Sequence, residues 1–203
     1  MRAVHPYKMF LLIALFCITT ATKAQLLDSL TLDTLKAFTN LEQALKTPEK
    51  VIKLVLKRNK FKTFPTEIFQ FTNLQYLDLS KNNIKEIPAE IGTLKNLQYF
   101  NISKTGLEKF PSQIGELTNL YYLNGSQNEL TELPVEIGKL KNLRNLDLWD
   151  NNIDVFPDEI KNCYKLKIVD LRAIMISDAK QNVIRSQLRH TKIFFSPYCN
   201  CQQ

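Results

Sequence analysis

The stretch Leu74–Asn96 reads LQYLDLSKNNIKEIPAEIGTLKN, and its 23-residue pattern recurs through most of the 203-residue chain. Further copies in the same register begin at Val51, Leu97, Leu120 and Leu143, and a degenerate sixth copy begins at Leu166. A fixed period of this length is typical of solenoids, in which no single unit can enclose its own apolar face and each needs a stacked neighbour. The repeat therefore predicts the fold of the whole chain.

Each position of the repeat has a physical role. The five full copies follow LxxLxLxxNxLxxLPxxIGxLxN, and apolar residues at places one, four and six alternate with polar ones as in a strand with one buried face. Equal repeat lengths make successive strands parallel. The ninth-place Asn can satisfy backbone groups where the chain leaves the strand, and the fifteenth-place Pro ends the extended segment. The nineteenth-place Gly is predicted to supply a positive φ at the end of a short helical turn.

This pattern resembles the leucine-rich repeat family in its 23-residue LPxxI form. The resemblance implies an α/β solenoid, a curved horseshoe with a parallel sheet on its concave face and short helices, 3-10 turns and loops on its convex face. We expect a helical amino-terminal cap at residues 25–50, five repeats at 51–165, and a degenerate sixth repeat with a helix-plus-strand cap at 166–203. The chain ends and the phrase NLEQALKTPEKV are similar to secreted repeat proteins of Bacteroidetes-like bacteria.

Three copies depart from the pattern. Thr105 replaces the ninth-place Asn beside Gly106, and Gly125 replaces a sixth-place Leu. Both changes are predicted to loosen the asparagine ladder and the core locally. Ile174 and Lys180 replace Asn and Pro in the sixth copy, which marks the start of the end cap.

The predicted caps use local signals. Asn40 followed by Gln43 predicts a capping box and a short helix whose Leu41, Ala44 and Leu45 shield the first repeat. At the other end, Ser177-Asp178 precede a predicted helix at residues 179–189 with Val183, Ile184 and Leu188 on one face. The segment Thr191–Phe195 is predicted to be the last strand.

Residues 1–24 do not belong to the repeat. A basic start, the apolar run Met9–Ile18 and the small residues Thr22 and Ala24 predict a signal peptide cleaved after Ala24. The run is shorter than the roughly 20 residues that a spanning helix needs. An uncleaved anchor and a cytosolic protein are the alternatives. Cleavage would leave 24 basic and 20 acidic residues, a net charge of +4, which does not indicate nucleic-acid binding or stable membrane insertion.

The concave face carries the candidate ligand-binding residues. This face comprises the side chains at the outward places two, three, five, seven and eight of the strand segment, and tyrosines recur at place three with polar residues at place five. Tyr and Trp are enriched at binding hot spots, and Asn and Asp supply hydrogen bonds, although strand packing alone also explains a tyrosine column. The candidates are Tyr76, Tyr99, Tyr122 and Asn145 at place three, Asp78, Asn101, Asn124 and Asp147 at place five, and Trp149.

Two further groups are weaker candidates. A basic patch lies where the first three strands end and consists of Lys57, Arg58, Lys81 and Lys104. The mature chain would keep three cysteines, so a disulfide from Cys163 to Cys199 or Cys201 is one expectation and a buried Cys163 thiol is the other.

The residues support no catalytic or cofactor site. One histidine, His190, remains after cleavage, and no Gly-rich phosphate loop or metal-spaced histidine cluster is present. We therefore expect an exported, secreted or periplasmic, non-enzymatic module without cofactors that binds a protein or peptide on its concave face. A glycan binder that uses the Tyr and Trp rings is one alternative. An intracellular signalling scaffold is the other, because the LPxxI form also resembles Ras-related repeat proteins of the cytosol.

Overall fold

A computed structural model describes residues 25–196 and shows one open sheet of seven parallel strands in chain order. The strands are β1 Lys53–Val55, β2 Tyr76–Asp78, β3 Tyr99–Asn101, β4 Tyr122–Asn124, β5 Asn145–Asp147, β6 Ile168–Leu171 and β7 Lys192–Phe195. The predicted parallel sheet of a repeat solenoid is confirmed. The edge strands are β1 and β7, and Phe38 of the amino-terminal cap pairs with Leu54 of β1 in an isolated parallel bridge.

Residues at the same place in neighbouring repeats pair with each other in the sheet. Leu77 pairs with Phe100, which pairs with Leu123, and all three side chains are fully buried. The same equivalence places Tyr76, Tyr99 and Tyr122 side by side on the opposite face. Fourth-place residues therefore form the core, while third-place residues line the concave face.

The return segments behind the sheet are 3-10 turns. They occupy Thr66–Gln70, Ala89–Thr93, Ser112–Glu116, Val135–Lys139 and Asp158–Asn162, each directly after the proline of its repeat. Consecutive turns pack closely, and an added Cβ at Gly115 would lie 2.5 Å from the carbonyl oxygen of Glu136. The prediction of positive φ at Gly92, Gly115 and Gly138 is wrong, since Gly106 is the one glycine with positive φ in the described chain. The nineteenth-place glycine instead permits this close approach between neighbouring repeats.

Gly115→Ala should destabilise the protein by about 1–3 kcal/mol, because the new methyl group meets rigid backbone. Gly92→Ala is the matched control, since its Cβ would meet the flexible Glu116 carboxyl group at 3.0 Å. Its stability should change little. Urea denaturation of both variants measures the difference, and equal losses would contradict the close-approach explanation.

Three of the ninth-place asparagines connect neighbouring repeats, whereas within the described chain Asn59 bonds only to Lys57 O in its own repeat. Asn128 Nδ2 donates to Gly125 O in its own repeat and to Ile102 O in the preceding one, both at 3.0 Å, while its Oδ1 accepts from Leu107 N–H at 3.0 Å. Asn82 and Asn151 make the equivalent bonds. These bonds satisfy backbone groups that the short strands leave unpaired.

Thr105 keeps part of this ladder. Its hydroxyl lies 3.0 Å from Ile102 O and 3.1 Å from Asn128 Oδ1, and its N–H donates to Asn128 Oδ1. Because a hydroxyl carries one proton, Thr105 cannot also reproduce the two N–H donors of an asparagine amide. The predicted loosening is therefore limited to the link with the preceding repeat.

The expected loosening of the core at Gly125 is wrong. Phe110, from the preceding repeat, fills the space that a sixth-place Leu would occupy, and an added Cβ at Gly125 would lie 2.8 Å from its Cζ. Phe110 is 4 % exposed. The small residue and the large ring compensate each other across adjacent repeats.

The amino-terminal cap contains two helices. The predicted one, α2 at Leu41–Ala44, begins at Asn40, whose side chain accepts from Gln43 N–H at 2.9 Å. Sequence reasoning missed helix α1 at Ser29–Thr34. This helix begins after Asp28, and the Asp28 carboxylate accepts a hydrogen bond from Thr31 N–H. Asp28 before a short run of helix-compatible residues was the available signal.

The carboxy-terminal cap has the predicted helix and strand. Helix α3 at Asp178–Gln187 is followed by β7, which pairs with β6. Ile184 and Leu188 are buried, but Val183 is 54 % exposed, so its predicted place on the buried face is wrong. Successive side chains of a helix point about 100° apart around its axis, so Val183 and Ile184 face different directions. Ile184 and Leu188 are four residues apart and therefore share the side of α3 that packs against the core.

Candidate functional site on the concave face

Three tyrosine rings form a continuous stack across the centre of the sheet. The Tyr76 and Tyr99 ring centroids are 3.9 Å apart, those of Tyr99 and Tyr122 are 4.4 Å apart, and the ring planes are within 3° of parallel. Parallel strands lie about 4.8 Å apart, so identical side chains in register stack face to face. We call these three residues the tyrosine stack.

The three residues of the tyrosine stack are each partly exposed, and most of their ring faces are covered. The face of Tyr76 that points away from Tyr99 is covered by the Lys53 ammonium group, 4.4 Å from the ring centroid. Both faces of Tyr99 are covered by its neighbours. Of the three residues, only Tyr122 has a ring face without another aromatic ring or cation against it.

Burial keeps the tyrosine hydroxyl groups protonated. Burial raises the pKa of Tyr76, Tyr99 and Tyr122 above the usual value near 10, and for Tyr99 the neighbouring Tyr76 side chain adds to the effect. The Tyr122 hydroxyl also accepts a hydrogen bond of 3.4 Å from Asn124 Nδ2. The stack therefore offers a row of neutral hydroxyl groups throughout the physiological pH range.

Asn145 continues the tyrosine column, whereas Trp149 does not. Asn145 pairs directly with Tyr122, and Trp149 follows it by four residues beyond the carboxyl end of β5. Side chains four residues apart on a strand are about 13 Å apart. The stack therefore contains three tyrosine rings, and the 37 % exposed Trp149 lies apart from it.

The fifth-place residues have a structural role in addition to their predicted one. Each side-chain oxygen Oδ1 accepts a hydrogen bond from the backbone N–H two residues later, at distances from 2.8 to 3.1 Å. The donors to Asp78, Asn101, Asn124, Asp147 and Asp170 are Ser80, Ser103, Ser126, Trp149 and Arg172. This Asx turn ends each strand and explains why Asn and Asp recur there. Burial raises the pKa of the Asp147 carboxyl group, and the hydrogen bond from Trp149 opposes this shift.

The second-place glutamines are not part of the free surface that the sequence predicted. Gln75 is 1 % and Gln98 is 8 % exposed, because both bind the chain segment that begins at Gln25. Gln75 accepts from Leu27 N–H at 2.9 Å and donates to Gln25 O at 3.1 Å, and Gln98 donates to Leu27 O at 2.9 Å. The start of the described chain therefore covers the amino-terminal ends of β2 and β3.

The same segment also engages β1. The Lys53 ammonium group donates to Leu32 O at 3.0 Å and to Asp33 O at 2.8 Å. Leu32 in α1 is fully buried. Ligand contacts on the concave face are consequently restricted, in the first repeats, to the central and carboxyl parts of the strands.

The basic patch is present at the carboxyl ends of the first strands. Arg58, Lys81 and Lys104 occupy the same place in three successive repeats, each with φ near 60°. The neighbouring positive charges of Arg58 and then of Lys57 lower the pKa of Lys81.

Cys163 has the environment of a buried thiol. Its Sγ lies 3.1 Å from Ile137 O and the residue is 2 % exposed. Burial raises the pKa of this thiol to about 11, which keeps it in the weakly reactive protonated form. Cys199 and Cys201 lie outside the described residues, as does the predicted signal peptide, so the disulfide stays a prediction.

Neither a metal site nor a membrane-spanning helix is found among the described residues. Within residues 25–196, no group of three His, Cys, Asp or Glu side chains is arranged to hold a metal ion. No helix in the same part of the chain is long and apolar enough to span a membrane.

Comparison with protein families identifies the repeat. Residues 50–130 match the family described as "Leucine-rich repeat region", and residues 142–163 match "Leucine Rich Repeat". The chain belongs to the leucine-rich repeat family, whose fold is typically that of a protein-interaction module. A comparison with curated proteins gives no match.

Solved structures support the same assignment. A leucine-rich repeat protein of Leptospira interrogans is 31 % identical with a TM-score of 0.64, and the match covers 80 % of this chain and 49 % of that one. The ectodomain of the Arabidopsis thaliana receptor kinase GASSHO1/SCHENGEN3, solved with CASPARIAN STRIP INTEGRITY FACTOR 2, is 31 % identical with a TM-score of 0.62 over 78 % of this chain and 19 % of its own. The plant peptide hormone receptor RGFR1, solved with RGF2, is 31 % identical with a TM-score of 0.59 over 73 % and 24 %. The chain thus spans about half of the Leptospira protein and smaller parts of the two receptors.

Proposed function

We propose that this protein is an exported, non-enzymatic binding module that holds an extended segment of a protein or peptide against the concave face. The observation that carries the proposal is the tyrosine stack, a rigid row of ring edges and neutral hydroxyl groups. An extended peptide offers backbone N–H and C=O groups along its length that can pair with such a row. Tyrosine provides this area with few rotamers to immobilise.

The structural neighbours support this type of ligand. Two of them are receptor proteins that were solved with their ligands, and one is described as a peptide hormone receptor. The candidate contacts are the tyrosine stack, Asn145, Trp149 and the outward atoms of the fifth-place residues.

The geometry favours a peptide over a glycan. Sugar rings stack on exposed aromatic faces, but the faces of Tyr76 and Tyr99 are covered by their neighbours. Of the four rings that the sequence offered for stacking, Tyr122 and Trp149 could still present a face, and they are on different parts of the concave surface. A glycan therefore has fewer stacking positions here than the sequence suggested.

Export is tested by the amino terminus of the natural protein. We expect the secreted form to begin at Gln25, unmodified or cyclised to pyroglutamate, because Ala24 fits the cleavage rule. Mass spectrometry of native material from outside and inside the cell distinguishes the possibilities. Soluble cytosolic protein that retains Met1 would support the scaffold alternative instead.

Binding is tested by capture with matched baits. The purified protein, a variant with Tyr76, Tyr99 and Tyr122 all changed to Ser, and a convex control with Glu116→Ala and Lys139→Ala are each exposed to cell-surface extract. A partner should be retained by the first and third baits and lost from the second. Retention by the tyrosine variant with loss from the convex control would overturn the concave assignment.

A further inference from the structure

The eighth-place residues form an ordered row at the carboxyl ends of the strands. Arg58 N–H donates to Ser80 O at 3.1 Å, Lys81 N–H to Ser103 O at 2.9 Å, and Lys104 N–H to Ser126 O at 2.9 Å. These backbone bonds hold the three residues side by side on neighbouring repeats, whose strands are about 4.8 Å apart. We call Arg58, Lys81 and Lys104, with Lys57 beside them, the basic row.

The basic row is not neutralised by nearby acids. Between residues 25 and 196, the four ion pairs involve Lys85, Lys95, Arg172 and Lys180, so no member of the row is in one. Asp78 is the acid that favours the charge of Lys81 most, and its Oδ1 accepts the Ser80 N–H.

A serine hydroxyl next to the row has no hydrogen-bond partner. Ser80 lies at the seventh place between Lys57 and Ser103, is 2 % exposed, and its Oγ is unpaired in the described structure. Buried polar atoms without a partner are uncommon in native proteins. The Ser80 hydroxyl is thus a buried donor without an acceptor, in the residue that directly precedes Lys81.

Charge changes sign along the same line of positions. After the three cations, the next two repeats place Gln127 and Asp150 at the eighth position, and their backbone bonds continue the row. The fifth-place acids Asp147 and Asp170 lie beside this far end. An extended ligand would therefore meet cations without ion pairs at the end formed by the first three repeats, whereas at the other end Asp170 is already paired with Arg172 at 2.6 Å.

We infer that the basic row binds an acidic segment of the peptide or protein partner and so fixes the direction in which that partner lies across the sheet. The inference rests on the proposed function, because it describes one end of the same ligand. The row and the tyrosine stack share repeats, since Tyr76 and Lys81 lie in one repeat, with the row displaced toward the carboxyl ends of the strands. Aspartate or glutamate side chains of the partner pair with the row, and its opposite end lies near Asp147 and Asp150.

The length of the row favours a short acidic peptide over a long anionic polymer. Three strands span only about 10 Å, which accommodates two or three anionic groups. Nucleic-acid binding at physiological salt draws on many more phosphate contacts, commonly about six to ten. Lysine also lacks the forked geometry with which arginine recognises phosphate.

The test uses a fluorescein-labelled hexa-aspartate peptide and the purified protein at low salt. In the row variant, Arg58, Lys81 and Lys104 are all changed to Asn, which tolerates positive φ better than most residues, so the fold should be kept. The matched control changes Lys50, in the 3-10 turn Pro48–Lys50 of the amino-terminal cap, and Lys139 and Lys161, on the turns behind the sheet, to Gln, and it removes the same net charge. We expect the dissociation constant to rise about tenfold or more in the row variant and less than about twofold in the control.

Two results would overturn the inference. One is an equal loss in both variants, which would indicate attraction by net charge alone. The other is a polyphosphate of equal charge that binds the row about tenfold more tightly than hexa-aspartate, which would assign the row to phosphate polymers. Because the probe contains no partner sequence, its result is independent of whether the tyrosine variants lose the captured partner.

Discussion

Leu123→Asp is expected to abolish cooperative folding. Leu123 is fully buried in the central strand and pairs with Phe100 on one side and Leu146 on the other. An unpaired carboxylate at this place costs several kcal/mol, a large part of the roughly 5–15 kcal/mol that stabilises a typical domain. Because repeats are stabilised by their neighbours, damage to the central one weakens the stacking of both halves.

Glu129→Ala is the control for this substitution. Glu129 is exposed and belongs to the same repeat, so its replacement should change the free energy of unfolding by about 0.5 kcal/mol or less. Urea denaturation followed by circular dichroism measures both variants. Similar stability losses would mean that the assigned repeat register is wrong.

The sequence was sufficient for the strands because their signal is local. Apolar places one, four and six determine which side chains face the core, and the repeat length determines which residues pair. The repeat length alone therefore places Tyr76, Tyr99 and Tyr122 side by side. Asn40 and Ser177 were correct helix starts for the same reason, since a cap depends on residues three positions away.

Contacts between distant segments were not predictable in this way. Gly125 appeared to weaken the core because its partner, Phe110, belongs to the preceding repeat. The sequence prediction gave Gly115 a positive φ. In the structure this position needs glycine because a Cβ would clash with Glu136 in the next turn. Both errors arose from interpreting each repeat in isolation.

The candidate site was only partly predictable. Register placed the tyrosines in one column, but ring orientation depends on rotamers that no pattern of residues specifies. The coverage of Gln75 and Gln98 comes from Gln25 and Leu27, about 50 and 71 residues away, respectively, in the sequence. A pair of glutamines at second places is an ordinary polar pattern and gave no signal of this contact.

Tyr99→Ala and Tyr122→Ala are each expected to weaken partner binding by about 2 kcal/mol or more, roughly 30-fold in affinity. Each substitution removes a ring edge and a hydroxyl group from the centre of the proposed site. Stability should also fall, because a stacked aromatic pair contributes about 0.5–1.5 kcal/mol. Tyr99 belongs to two such pairs and Tyr122 to one, so the stability loss should be larger for Tyr99→Ala.

Tyr99→Phe separates binding from packing. The ring stays in the stack, while the hydroxyl group that we propose for ligand contact is lost. We therefore expect weaker binding with a nearly unchanged melting temperature. Trp149→Ala reports whether the ligand extends to the fifth repeat.

The most direct measurement is the dissociation constant of the captured partner for these variants, with a melting curve for each protein. The concave assignment predicts weaker binding by Tyr99→Phe, Tyr99→Ala and Tyr122→Ala, and unchanged binding by Glu116→Ala and Lys139→Ala on the convex side. Normal binding by all three tyrosine variants, with binding lost from the convex variants, would contradict it. The tyrosine stack would then serve only to pack the strands.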